Sequence, residues 1–141
     1  MKRILLVEDD PNIAGVIKSL IASPVFIRES KFDLVHVPTG TEALRLFEAQ
    51  PHDKVDGLLV GRYNPDDDGL RIISMYSVRY PDALIALFTG EPNIAYLNSA
   101  AVFGANTLIR KPIIFHELRA FFLKVHQKNT TVVPSIAPLI V

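Results

Sequence analysis

The chain has 141 residues, 49% of them hydrophobic and 21% charged, a length and balance that suit one globular domain and exclude a disordered segment. Its 15 Lys and Arg residues balance 15 Asp and Glu residues, so neither a basic excess nor a basic stripe points to a nucleic-acid partner. Cysteine is absent, which removes disulfides and thiolate metal sites.

The first apolar run, Ile4-Leu5-Leu6-Val7, stops sharply at Glu8-Asp9-Asp10. It is too short for the hydrophobic region of a secretory signal, and no stretch approaches a membrane span, so a soluble cytoplasmic protein without a membrane partner is expected. Asp10-Pro11 has the form of a helix start, with a carboxylate at the cap and proline in the first turn. Ile13, Val16, Ile17, Leu20 and Ile21 follow at helical spacing until Pro24. Residues 24–32 read as a connection with a small insertion, and residues 33–37 as the second strand. Thr39 and Glu42 stand at capping-box spacing before a helix whose apolar face is Ala43, Leu46 and Phe47.

Residues 58–60 read as the third strand and residues 61–69 as a loop rich in turn formers, including Asn64-Pro65 and Asp68-Gly69. Ile72, Ile73, Tyr76 and Tyr80 mark the third helix, ended by Pro81. Residues 84–88 form the fourth strand, closed by Thr89-Gly90. An alanine-containing helix over residues 92–103 stops at Gly104, and residues 107–109 are a short fifth strand ahead of Lys111-Pro112. Phe115, Leu118, Phe121, Phe122 and Val125 give the last helix its apolar face. Residues 1–127 are read as the domain and residues 128–141 as a tail or linker, apolar enough to pack or to form an interface. Strands alternating with helices imply an α/β fold of flavodoxin-like (βα)5 type, a doubly wound parallel five-stranded sheet with right-handed crossovers. In such sheets a site forms beyond the carboxyl ends of the strands.

Those ends carry chemistry: Glu8, Asp9 and Asp10 after the first strand, Thr89 after the fourth, Lys111 after the fifth. Together with Gly40-Thr41-Glu42-Ala43-Leu44, Asn64-Pro65-Asp66-Asp67-Asp68-Gly69-Leu70, Leu87-Phe88-Thr89-Gly90 and Gly104-Ala105, this order resembles the receiver domain of two-component response regulators, over residues 2 to about 127. The resemblance implies that Glu8 and Asp9 match the family's Mg²⁺ acids, Thr89 the hydroxyl and Lys111 the amine that contact a phosphoryl group. It also implies a contact face on the fourth helix, fifth strand and fifth helix, with Tyr96, Leu108, Arg110, Glu117 and Arg119 on it.

The phosphoryl acceptor does not carry over. With Asn64-Pro65 and Asp68-Gly69 aligned, and Asp56-Gly57-Leu58-Leu59-Val60 fixing the register without a gap, the acceptor position is Gly61. Glycine has no carboxylate to form an acyl phosphate, and a Mg²⁺ site here loses one hard oxygen ligand. No cofactor is expected, and any Mg²⁺ binding is expected to be weak. Leu108 stands where the family usually has an aromatic switch residue. The reading is therefore a degenerate receiver, not an enzyme, that signals by contact with a protein such as a histidine kinase, an output protein or a second copy of itself. Structurally, the same acids also suit a simple ion pair with Lys111, Asp10 a helix cap, and Asp66–Asp68 a solvated turn. Two other functions compete. One is a phosphorylatable regulator using a displaced Asp66, Asp67 or Asp68. The other is a phosphohydrolase, disfavoured because Glu8-Asp9-Asp10 does not supply the Asp-x-Asp of the haloacid-dehalogenase type. His36, His52, His116 and His126 show no metal spacing.

Overall fold

The computed structural model describes residues 2–23, 32–49, 54–61, 69–89, 94–110 and 115–127. Within them the elements alternate as β1 (Lys2–Val7), α1 (Pro11–Ala22), β2 (Phe32–Val37), α2 (Gly40–Ala49), β3 (Gly57–Gly61), α3 (Gly69–Arg79), β4 (Leu84–Thr89), α4 (Ile94–Phe103), β5 (Thr107–Arg110) and α5 (Phe115–Gln127). The strands form one parallel sheet in the order β2-β1-β3-β4-β5. That is the flavodoxin-like architecture, whose strand order reverses between β1 and β3.

The strands read as unbroken apolar runs because both faces of a parallel sheet are covered. Alternation along each strand then divides the core in two. Ile4, Leu6, Leu59, Ala86, Phe88 and Ile109 pack with Ile17 of α1 and with Leu118, Phe121 and Phe122 of α5. Leu5, Val7, Leu58, Val60, Ile85 and Leu87 pack beneath α2, α3 and α4 through Ala43, Ile72, Ile73, Tyr76, Leu97 and Ala100.

The helix boundaries follow local chemistry. The Asp10 carboxylate accepts from the Asn12 N–H at 2.9 Å, capping α1 as its sequence implies. Thr39 Oγ1 accepts from the Glu42 N–H at 3.2 Å at the start of α2, and the Glu42 carboxylate accepts from Arg45 at 2.7 Å. Helix α4 ends in a Schellman turn: Ala105 N–H reaches Ala100 O at 2.9 Å and Gly104 N–H reaches Ala101 O at 3.2 Å. Gly104 supplies the positive φ of 129° which that turn requires.

Several strand ends differ from the apolar-run reading. Strand β1 begins at Lys2 because Lys2 and Arg3 pair with Phe32 and Asp33, and Arg3 Nε meets Asp33 Oδ2 at 3.0 Å. Gly61 is not the first loop residue but the last of β3, paired with Phe88 of β4. Thr89 and Arg110 likewise close β4 and β5 and pair with each other. In each case ladder pairing carries a strand past its last large apolar side chain. The connection at residues 24–31, the loop at 62–68 and the tail at 128–141 lie outside the described residues.

Candidate functional site

The carboxyl ends of β1 and β3 meet at the topological switch point, where open α/β sheets leave a crevice. Val7 pairs with Val60, so Glu8, one step on, lies level with Gly61. Leu6 and Leu59 both face the α1/α5 core, and alternation sends Glu8 and the missing side chain of Gly61 to that same side.

Glu8 is held from several directions. Its N–H donates to Val37 O at 3.1 Å, and its carbonyl lies 2.8 Å from His36 Nε2. Its side chain turns inward, leaving the residue only 1% exposed. Oε2 accepts from the Asp10 N–H at 3.1 Å. Oε1 approaches Gly61 so closely that a Cβ added there would stand 2.6 Å from it, 3.1 Å from Glu8 Cδ and 3.2 Å from Val7 O. Ordinary contact begins near 3.4 Å. The Glu8 carboxylate therefore occupies the first atoms' worth of space that any side chain at position 61 would need.

The other expected site residues divide. Asp9 is exposed beside the buried Glu8, so the two neighbouring acids have different surroundings. Thr89 ends β4 and is 4% exposed. Lys111 and Asp66–Asp68 lie outside the described residues. Among the described residues, no three His, Cys, Asp or Glu side chains gather into a group that would hold a metal ion. On the expected contact face, Leu108 and Tyr96 pack against the core beneath α4, while Arg110 and Arg119 are exposed. Glu117 Oε2 accepts from the Arg110 N–H at 3.2 Å and ties α5 to the end of β5.

Sequence reasoning missed His36. It was one of four scattered histidines, yet it stands one residue before the end of β2 and braces the Glu8 backbone. Its place next to last in a strand that neighbours β1 was the available signal. Asp56 was used only to set register. It proves to be a buried carboxylate at the opposite end of β3, accepting from Arg3 N–H at 2.9 Å, with Lys54 Nζ 3.5 Å away.

Comparison with known structures finds the same fold repeatedly. The signal receiver domain of an HD domain-containing protein from Pseudomonas fluorescens Pf-5 is similar at TM-score 0.73 and 22% identity, covering 88% of this chain and 85% of that one. A CheY-like response regulator receiver domain protein from Methanospirillum hungatei JF-1 is similar at TM-score 0.73 and 22% identity, covering 90% and 95%. The chemotaxis response regulator CheY4 of Vibrio cholerae is similar at TM-score 0.68 and 19% identity, covering 89% and 98%. No curated protein sequence matches the chain significantly. The family description that fits the sequence is the response regulator receiver domain, matched over residues 4–122. With its sheet order and that match in agreement, the chain belongs to the response regulator receiver domain family of two-component signalling.

Proposed function

We propose that this receiver domain signals by protein contact and takes no phosphoryl group at the usual position. The observation that carries the reading is at Gly61: the residue offers no oxygen, and the neighbouring Glu8 carboxylate stands 2.6 Å from where its Cβ would be. An acyl phosphate needs a carboxylate nucleophile at the site. Mg²⁺, which demands near-octahedral oxygen coordination, fits these residues poorly. Glu8 Oε2 already accepts from Asp10 N–H, and position 61 contributes nothing. Glu8 and Asp9 are thus remnant metal acids, Thr89 and Lys111 a remnant phosphate pocket, and the domain has no catalytic residue.

The contact surface is formed by α4, β5 and α5, with Tyr96, Leu108, Arg110, Glu117 and Arg119. Helix α4 supports this choice. It presents Val102 at 83% exposure beside the exposed Phe103, two adjacent apolar residues, where α3 exposes Val78 singly. The partner is a protein of the pathway, a histidine kinase or an output protein, or a second copy of the domain. No helix among the described residues is long and apolar enough to cross a membrane, and the balanced charge supports a protein partner over a nucleic acid.

Incubation with Mg²⁺ and phosphoramidate followed by intact-mass measurement tests the reading. The mass is expected to stay unchanged. A gain of one phosphoryl group would overturn it, and peptide mapping of that group to Asp66, Asp67 or Asp68 would establish the displaced-acceptor alternative in its place.

A further inference from the structure

We propose that a cavity at the amino end of the sheet, between α2 and α3, takes a branched aliphatic side chain from the chain's own segment Thr131-Val132-Val133-Pro134. The inference concerns a face and a segment that the proposed function does not use, and it stands whether or not the domain is phosphorylated.

The cavity has a volume of about 30 Å³. Val35, Leu46 and Val55 form its aliphatic wall, and Phe47, Tyr76 and Tyr80 its aromatic one. The three rings pack on one another, with centroids 5.1, 5.8 and 6.4 Å apart. One water needs roughly 10–15 Å³ of such space. The cavity therefore suits the methyl groups of one branched side chain, and not a nucleotide or other cofactor, which needs a far larger cleft. Two polar groups on its wall are already engaged: the Tyr76 hydroxyl donates to Ala43 O at 2.9 Å, and Arg3 Nε donates to Asp33 Oδ2 at 3.0 Å. A water gains little where polar partners are few, so an apolar occupant is favoured. Val35, Leu46, Phe47 and Tyr80 are only half-buried, so the cavity reaches the surface.

The sequence beyond α5 supplies the occupant. Residues 129–141 contain no charged side chain, and six of them, Val132, Val133, Ile136, Leu139, Ile140 and Val141, are branched aliphatics. So dense an apolar run gains from being covered. Residues Thr130 to Val133 are β-branched and precede Pro134, a sequence that favours extended chain over further helix. Helix α5 delivers this run close to the cavity. The His126 ring stands 6.5 Å from the Phe32 ring, and Val125 Cγ2 lies 3.0 Å from where a Cβ on Gly57 would be. Both neighbours lead to the cavity wall. Phe32 pairs with Lys2, one residue before Arg3, which lines the cavity. Gly57 follows Val55 by two residues, about 7 Å of extended chain. Gln127 ends α5, and Val133 lies six residues further on. Extended chain of that length reaches about 20 Å, roughly four strand widths, which is enough to pass around the edge of the sheet.

NMR of the full chain with ¹³C-labelled valine methyls tests the proposal. Methyl resonances of Val132 or Val133 are expected upfield of their random-coil positions, with NOEs to the rings of Phe47, Tyr76 or Tyr80. Random-coil methyl positions without such NOEs would overturn it. So would the same NOEs appearing only between differently labelled chains, because the occupant would then come from a second copy. The variant Val132→Asn/Val133→Asn is expected to lower the thermal midpoint by roughly 4 °C and to move the ring resonances of Phe47, Tyr76 and Tyr80. An unchanged midpoint with unmoved rings would equally count against the proposal. Phosphorylation of the wild-type chain would sink the proposed function and leave these readouts as they are, so the two failures are distinguishable.

Discussion

Two glycines show how differently one residue type is used. Gly61 sits in ordinary strand backbone with the Glu8 carboxylate beside it. Gly104 needs its freedom: its φ is 129°, and a Cβ there would stand 2.5 Å from both Cβ and Oγ of Ser77. Gly104→Ala is expected to cost about 1–3 kcal/mol, read as a lower denaturant midpoint at unchanged slope. Ser77→Gly in the same chain should return the steric share and leave the conformational share. Full recovery would contradict the role assigned to φ. Tyr76 is a third residue with a measurable signature. Its hydroxyl donates to Ala43 O at 2.9 Å. Burial, with Tyr80 adding a smaller contribution, pushes its pKa well above the ordinary value of 10.0. The folded protein then holds this proton more tightly than the unfolded chain does. The resulting stability is complete below the unfolded value near 10 and is lost as pH rises above it. Tyr76→Phe is expected to cost about 1 kcal/mol near neutrality and to flatten the alkaline decline, which urea titrations across that pH range would record. An alkaline decline unchanged by the substitution would contradict the assignment.

Among the elements, strand β3 joins the two ends of the sheet. At its start Asp56 spans three strands: its carboxylate accepts from Arg3 N–H, its N–H donates to Arg3 O at 2.9 Å, and its carbonyl accepts from Leu84 N–H at 3.0 Å. Asp56→Ala removes only the side-chain part of this clip, and a loss of about 2 kcal/mol is expected for a buried, charge-assisted bond. Chemical denaturation would check it, and a change within experimental error would mean that the backbone bonds alone suffice. The element sequence was legible because apolar runs and helical spacings differ in period, as Ile4-Leu5-Leu6-Val7 and the Leu118, Phe121, Phe122, Val125 set show. The cap at Asp10 and the stop at Gly104 were legible for the same local reasons. Strand ends were less so. Lys2, Arg3, Gly61 and Arg110 lack the large apolar side chains that mark a strand, and they are held in the ladder by pairing with neighbours distant in sequence.

For the whole molecule, the sheet order decides which residues meet. Nothing local in the sequence brings Glu8 to Gly61 across 53 residues; the parallel pairing of β1 with β3 does so. The motif order of the receiver family implied that the two positions lie at one site. It did not show that one side chain fills the other's space, because that depends on a packing distance and not on residue type. The role of His36 was hidden for the same reason. Among the described residues, the two-layer core buries Glu8 and Thr89 at one end of the sheet and leaves adjacent apolar side chains exposed on α4, at Val102 and Phe103, with Val78 exposed on α3. The most direct measurement is amide NMR of the ¹⁵N-labelled wild-type chain titrated with Mg²⁺ and beryllofluoride. The resonances of Glu8, Gly61 and Thr89 are expected to stay where they are throughout. Saturable shifts at those three positions would mean that an oxygen from elsewhere in the chain completes the pocket, and would contradict the account.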